Sequence, residues 1–279
     1  MQFGVHVFPT ETSIQPDELA RAAEERGLDS VWFSEHSHIP LHFLNAPDGT
    51  FRLPDYYWQT YDIFVAITLA AAATKTIRVA SGVALVIERD PIFLAKEAAT
   101  IDLVSKGRFI FGVGAGWLES EMANHGVEYR TRFQLLKEQL QAIHEIWTKD
   151  ESEFHGRFFS FDKMRAFPKP FQKPRPPIIM GGSGEKAITY AAELCDGWAP
   201  WMLEWSKARQ SIDDLRKRAL EFGRDPNSLE ISLFEGELPD EKVLAEMEQA
   251  GVKRIILTIF GQSREDALPQ LDKIGRLVR

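Results

Sequence analysis

The chain has 279 residues, 44% of them hydrophobic, and a formal net charge of −8. That length suits one large α/β barrel or two small domains, and the acidic balance argues against general affinity for nucleic acid or anionic membranes, so any anion site must be local. The single cysteine, Cys195, excludes an intrachain disulfide and a multi-cysteine metal centre, while the start MQFGVHVFP lacks a basic leader followed by a long apolar stretch; together these predict a cytoplasmic chain in a reducing compartment.

In chain order, FGVHV (3–7) reads as a strand and PDELARAAEERG (16–27) as a helix with an acidic first turn. SVWFS (30–34) is the second strand. A long segment, HSHIPLHFLNAPDGTFRLPDYYWQT (36–60), follows it, then an alanine-rich helix over 62–73. IRVASGVAL (77–85), DPIFLAKEAATIDLVSKG (90–107), RFIFGVG (108–114) and RFQLLKEQLQAIHEIW (132–147) continue the strand–helix alternation. After a second long segment (149–176) come strands PIIMGG (177–182), DGWAPW (196–201), LEISLF (229–234) and RIILTIF (254–260), with helix DEKVLAEMEQAG (240–251) before the last.

Eight β-branched strands alternating with helices predict a parallel sheet with right-handed crossovers, closed as a (β/α)8 TIM barrel; an open doubly wound sheet is the alternative. No repeat or low-complexity linker breaks the series, so residues 1–279 are expected to form one domain, with insertion segments after strand 2 and before strand 5. Loops that follow barrel strands surround the active site, which makes 36–60 a candidate lid or substrate wall, or else a surface excursion packed by its own aromatics.

In a barrel, candidate groups are read at the C-terminal ends of strands. Strand 2 ends Ser34-Glu35-His36-Ser37-His38, strand 3 passes Ser81-Gly82-Val83, strand 4 runs into Gly114-Ala115-Gly116-Trp117, and strand 5 runs into Gly181-Gly182-Ser183-Gly184. Trp198 and Trp201 belong to strand 6 and Glu235 to strand 7. This set is poor in acids and bases and rich in small and aromatic residues. Hydrolysis needs several placed titratable groups, whereas a flat cofactor needs backbone approach and stacking surfaces, so a cofactor enzyme is favoured.

The GGSG at 181–184 is either a tight strand-to-helix turn or an anion cradle at a helix N-terminus. Arg132 and Lys186 begin neighbouring helices and are candidate phosphate partners, or plain solvated helix charges. Gly82 inside a β-branched strand suggests a bulge or a packing glycine. His36 is the candidate proton-transfer group, with Glu35 beside it; adjacent strand residues face opposite ways, so a direct pair is not assured. Clustering of His6, His36, His38, His42 and Glu35 around a metal is the alternative, disfavoured because strands 5, 6 and 8 end without histidine. The stretch KMRAFPKPFQK (163–173) is locally basic, a candidate contact for an acidic tail or for nothing at all.

Taken together, SEH at the end of strand 2, ASGVALV, RDPIFLAKEAATIDLVSKGRFIFGVGAGW, the helix ending IHEIW, and PIIMGGSGEKAITYAAELCDGW closely resemble the bacterial luciferase-like family of flavin and deazaflavin oxidoreductases. The likeness is collinear from the N-terminus to Trp198. It implies a barrel that binds coenzyme F420, or alternatively FMN, with Gly181, Gly182, Ser183 and Gly184 holding the cofactor phosphate. Ser81, Gly82, Val83, Gly114, Ala115, Trp117, Arg132 and Lys186 complete the expected cofactor site, with a non-proline cis peptide at Gly82-Val83 or, failing that, Ser81-Gly82.

By the same resemblance Glu35 and His36 match an acid–histidine pair beside the reactive ring. F420-dependent enzymes of the family that act on glucose 6-phosphate carry a Glu where this chain has Trp117, with Glu119 and Glu121 only nearby, so a larger or less polar substrate walled by Trp58, Trp117 and Trp201, with Tyr56 and Tyr57, is expected. The implied function is an F420-dependent oxidoreductase transferring a hydride between the deazaflavin and a small organic substrate. The alternatives are an FMN-dependent monooxygenase using reduced flavin and oxygen, and a non-catalytic cofactor-binding protein. A homodimer through the helices at 62–73 and 91–105 is expected, and a separate cofactor reductase is an open requirement; no metal, nucleic acid or membrane partner is expected.

Overall fold

A computed structural model describes residues 1–44, 53–260 and 263–278, so the stretch 45–52 of the expected lid lies outside the described residues. The first half of the chain supplies β1 (Gln2–Val7), α1 (Pro16–Glu25), β2 (Ser30–Phe33), the single turn α2 (Leu41–Leu44), α3 (Ile63–Ala73), β3 (Arg78–Ser81), β4 (Ala84–Leu85), α4 (Pro91–Val104), β5 (Phe109–Gly114), α5 (Glu119–Asn124) and α6 (Arg132–Thr148). A hairpin of β6 (Ser152–His155) and β7 (Ser160–Met164) follows. The second half supplies β8 (Ile178–Gly181), α7 (Glu185–Leu194), β9 (Gly197–Ala199), α8 (Trp205–Glu221), β10 (Glu230–Glu235), α9 (Glu241–Gln249), β11 (Val252–Thr258) and α10 (Arg264–Gly275).

The strand order is β3-β2-β1-β11-β10-β9-β8-β5-β4, and a β3–β5 pairing closes it. Every pairing in this sheet is parallel. Since β3 and β4 are two halves of one broken stave, the result is a closed eight-stave (β/α)8 barrel, with helices between the strands. The open-sheet alternative is excluded by the closing pair.

Local chemistry explains the helix starts. Asp62 accepts from the backbone N–H groups of Phe64 and Val65, and Asp90 does the same for Ile92 and Phe93 ahead of Pro91; each carboxylate satisfies donors that the first turn leaves unpaired. Ile63, Ala66, Ile67, Ala70 and Ala71 then bury one face of α3 at helical spacing.

Inside the barrel, Trp32, Ala80, Ile110, Ile179, Ala199, Phe234 and Ile256 form one packed layer. Gly4 of β1 takes part by omission: a β-carbon there would stand 2.5 Å from Ser30 Oγ and 3.3 Å from Trp32 Nε1, so only glycine leaves Trp32 its place. Below this layer Arg254 is fully buried, bonded to Asp29 at 2.6 Å and also to Glu230, with Gln2 and Ser232 each at 3.2 Å. Paired on several sides, this charge closes the N-terminal end of the barrel, leaving the C-terminal end as the open one.

The segment before strand 5 folds back as the separate antiparallel β6–β7 ribbon. Its basic residues are engaged locally. Lys163 and Arg165 each pair with Glu151 at 2.7 Å, and Lys169 donates to the carbonyls of Ile146 and Lys149 at the end of α6. Within the chain these cations of 163–173 meet neighbouring groups, and the Lys163 and Arg165 side chains stay largely exposed.

Candidate active site

A cavity of about 580 Å3 opens at the C-terminal ends of the staves. Phe8 follows β1; Ser34, Glu35 and His36 follow β2; Gly114 ends β5 and Ala115 to Trp117 follow it; and Gly181 to Ala187 run from β8 into α7. Ala199, Trp201 and Phe234 close the far wall, Tyr57 enters from the first insertion, and Arg132 with Phe133 enters from the start of α6.

The back wall is built by an irregularity. Register moves by one residue between Ala80↔Ile110 and Ala84↔Val113, so the β3–β4 stave carries one residue more than β5 over that interval, a bulge at Gly82. The Gly82–Val83 peptide is cis, at the first of the two positions the resemblance implies. Val83 is thereby placed against two glycines: a β-carbon on Gly114 would stand 2.7 Å from its side chain, and one on Gly181 2.9 Å. Behind this wall Ser34 donates to the Gly82 carbonyl, and Ser34 in turn meets Nε2 of buried His6 at 2.7 Å, with Thr258 on the other ring nitrogen at 3.2 Å. Burial lowers the His6 pKa to about 3, so it is a neutral structural ring.

The cradle is shaped by backbone. Gly182 adopts φ +94°, and its carbonyl accepts from Trp198 Nε1 at 2.7 Å, which assigns Trp198 to holding the loop. Gly184 caps α7 with no side chain on the first-turn donors. A β-carbon at Gly184 would meet nothing within 4 Å. Arg132 lies over the Tyr129 ring at 3.7 Å and gives Nη1 to the Tyr129 carbonyl at 2.8 Å, yet its Nε is buried without a partner among the described residues. Lys186 extends over Phe133 with its ammonium 5.9 Å from the ring centre, and the nearby Glu185 carboxylate is drawn off by Arg218 at 3.2 Å. Free helix N–H groups, an orphaned guanidinium donor and two cations fit a phosphate-bearing cofactor.

Opposite the cradle, His36 Nδ1 meets Glu121 Oε2 at 2.6 Å, leaving Nε2 for the cavity. Glu121 is 1% exposed, and its Oε1 accepts from the Ser37 N–H at 2.8 Å. Burial alone would raise the Glu121 pKa; the bonds from His36, Ser37 and His38 outweigh it and hold the carboxyl below its ordinary value. Glu35 turns the other way, accepting from Leu85 N–H at 2.8 Å and Arg89 at 2.6 Å, while Arg89 also reaches Asp62 at 3.0 Å. Its carboxylate ties the end of β2 to the broken stave and, through Arg89, to the cap of α3.

Glu121 is the residue sequence reasoning left undecided. It sits in an acidic first turn where Glu119 is exposed and Glu121 buried, and only its proximity to Met122, a core residue, hinted at an inward face. Three expected residues are placed off the cavity. Ser81 is buried behind the wall with its hydroxyl on the Gly112 carbonyl at 2.7 Å, and Trp58 packs with Ile39, Leu53 and Leu118. Tyr56 stacks on Tyr57 at 5.2 Å rather than lining the cavity itself. Among the described residues no three His, Cys, Asp or Glu side chains converge as a metal site.

The sequence profile of the luciferase-like monooxygenase family matches residues 10–236. An uncharacterised protein of Mycobacterium tuberculosis is 34% identical over 281 residues, spanning 99% of this chain and 98% of the relative. An F420-dependent glucose-6-phosphate dehydrogenase of Amycolatopsis mediterranei is 32% identical over 65% of this chain and 51% of the relative; a pyrimidine monooxygenase, RutA, of Allorhizobium ampelinum is 28% identical over 82% and 62%. In fold, the chain is similar to an F420-dependent secondary alcohol dehydrogenase (TM-score 0.78, 18% identity, full coverage of both) and to the long-chain alkane monooxygenase LadA (TM-score 0.80, 15% identity, covering 100% and 91%).

Proposed function

Because the chain belongs to the luciferase-like monooxygenase family, we propose that it is an F420-dependent oxidoreductase that moves a hydride between the deazaflavin and a small, weakly polar organic substrate. The observation that carries this reading is the His36–Glu121 pair. A hydride withdrawn from an alcohol carbon, or delivered to a carbonyl or activated alkene, must be matched by one proton, and a histidine whose Nδ1 is held by a carboxylate offers Nε2 to the cavity for that proton.

When bound, the deazaflavin supplies the carbon centre that takes or gives the hydride. Gly181 to Gly184, Arg132 and Lys186 would hold its phosphate, and Val83 with its two facing glycines would support the ring system. Phe8, Tyr57, Trp117 and Trp201 form an aromatic surround that orients a substrate and excludes water, which keeps the two reactants in line. Trp117, standing where a glutamate is expected for the sugar-phosphate enzymes, argues against glucose 6-phosphate.

Titration of the purified apo-protein with coenzyme F420, and separately with FMN, tests the reading. Trp117 and Trp201 line the cavity and Trp198 lies under the cradle, so intrinsic fluorescence reports occupancy. Micromolar or tighter quenching by F420 alone is the expected result. Tight binding of FMN instead makes this an oxygen-using flavin enzyme, in keeping with its monooxygenase relatives, and binding of neither overturns the phosphate cradle. His36→Ala should keep cofactor affinity and lower turnover about 10²- to 10⁴-fold; a cofactor-binding protein without catalysis would show no turnover in either form.

A further inference from the structure

If the cavity is closed to water while hydride moves, the proton taken by His36 needs another way out. None of Glu121, Ser37, His38 or His125 lines the cavity, and they are joined behind His36. The Ser37 hydroxyl stands 3.2 Å from Glu121 Oε1, 2.7 Å from His125 Nε2 and 2.9 Å from His38 Nδ1, and His38 Nε2 meets Asn124 Nδ2 at 2.7 Å. Exposure rises along this series, from Glu121 at 1% and His36 at 8% to the solvent-facing Ser37 and His125. Beside it Glu88, with a side chain only 4% exposed, has no hydrogen-bond partner on either oxygen among the described residues and lies 3.7 Å from His125 Nε2.

We propose that Glu121, Ser37 and His125 form a proton path between His36 and solvent, with His38 as a second branch. The inference rests on the reading of His36 as the proton-accepting group. In the direction of substrate oxidation, Nε2 takes the hydroxyl proton and Nδ1 releases its own to Glu121 Oε2. A half-turn of the Glu121 carboxyl brings that proton to Ser37 Oγ, which passes its original proton to His125 Nε2, and His125 gives the proton on Nδ1 to water. One proton enters and one leaves, with no electron moved; substrate reduction runs the same steps backward. Ser37 and His125 are positioning and relay residues, since neither touches the cavity.

The test is solvent exchange of the His36 Nδ1–H, followed by NMR on histidine-labelled protein, both without cofactor and with F420 bound. Ser37→Ala should slow this exchange at least tenfold, and Ser37→Thr, which restores the hydroxyl, should return it to the parent rate. The double variant His38→Asn with His125→Asn should slow it comparably while leaving the Ser37 N–H bond to Glu121 in place, which guards against loss of local structure in Ser37→Ala. Parent exchange rates in both Ser37→Ala and the double variant would overturn the path. Failure of F420 to bind would instead count against the proposed function, because exchange in the cofactor-free protein reads the path independently.

Discussion

The side chain of Val83 occupies the space that a β-carbon on Gly181 would need, the two standing 2.9 Å apart. Residue 83 projects there because the stave carries an extra residue at Gly82. Gly181→Ala should therefore displace Val83, costing about 1–3 kcal/mol of stability and weakening cofactor binding. The double variant Gly181→Ala with Val83→Ala should regain stability, since the clash is gone. Denaturant melts of the two single variants and the double variant check this; additive losses would mean the residues do not compete for space.

Arg132 carries a buried Nε without a partner among the described residues, at the edge of the cradle. A charge-assisted bond from such a donor to a phosphate contributes roughly 1.5–3 kcal/mol, so Arg132→Ala should weaken cofactor binding about 10- to 100-fold. Arg132→Lys should recover only part of the loss, because a point charge replaces a planar fork. The titration described above measures it, and unchanged affinity in Arg132→Ala would remove this residue from the cradle.

Glu88 titrates late. Burial chiefly, then the neighbouring charges of Glu121 and Glu35 against the opposing Arg89, push its pKa from 4.5 to about 8. The folded protein thus holds a proton that the unfolded chain releases above pH 4.5, so the stabilisation is complete below that pH and is lost as pH rises through about 8. The expected loss is on the order of a few kcal/mol between pH 5 and pH 9. Glu88→Gln should flatten this dependence and be the more stable form at pH 9. Parallel denaturant titrations at the two pH values decide; equal slopes in both proteins would mean Glu88 is ionised in the fold.

Val65 and Leu69 on α3, with Phe93 and Val104 at the two ends of α4, are exposed apolar side chains on adjacent helices. We propose that a second copy of the chain covers this face. Light scattering at micromolar concentration should give twice the chain mass, and Phe93→Lys with Val65→Lys should halve it. A monomeric parent protein would overturn the proposal.

All eight staves and the order in which helices separate them were legible in the sequence. Strand 3 reads as one run, 77–85, and only the odd glycine at 82 marked the place where the structure breaks it into β3 and β4. The hairpin β6–β7 was not foreseen, since its strands alternate weakly and are largely exposed. Likewise the Arg254 plug joins residues from four separate strand starts or ends, and nothing near Arg254 in the chain announces Asp29 or Glu230.

What the sequence by itself determined is whatever depends on near neighbours along the chain: the period of buried residues, the Asp caps of α3 and α4, the glycine-rich turn into α7, and hence the barrel whose parallel strand ends gather around one mouth. What only the tertiary structure decided is which groups meet across that mouth. His36 could not be matched to Glu121 rather than to adjacent Glu35 from order alone, because adjacent residues on an extended chain point apart while closure of the barrel brings together side chains 85 positions distant. The same closure turned Glu35 toward Arg89 and left Glu88 buried beside two carboxylates, arrangements set by packing between elements and so absent from any local pattern.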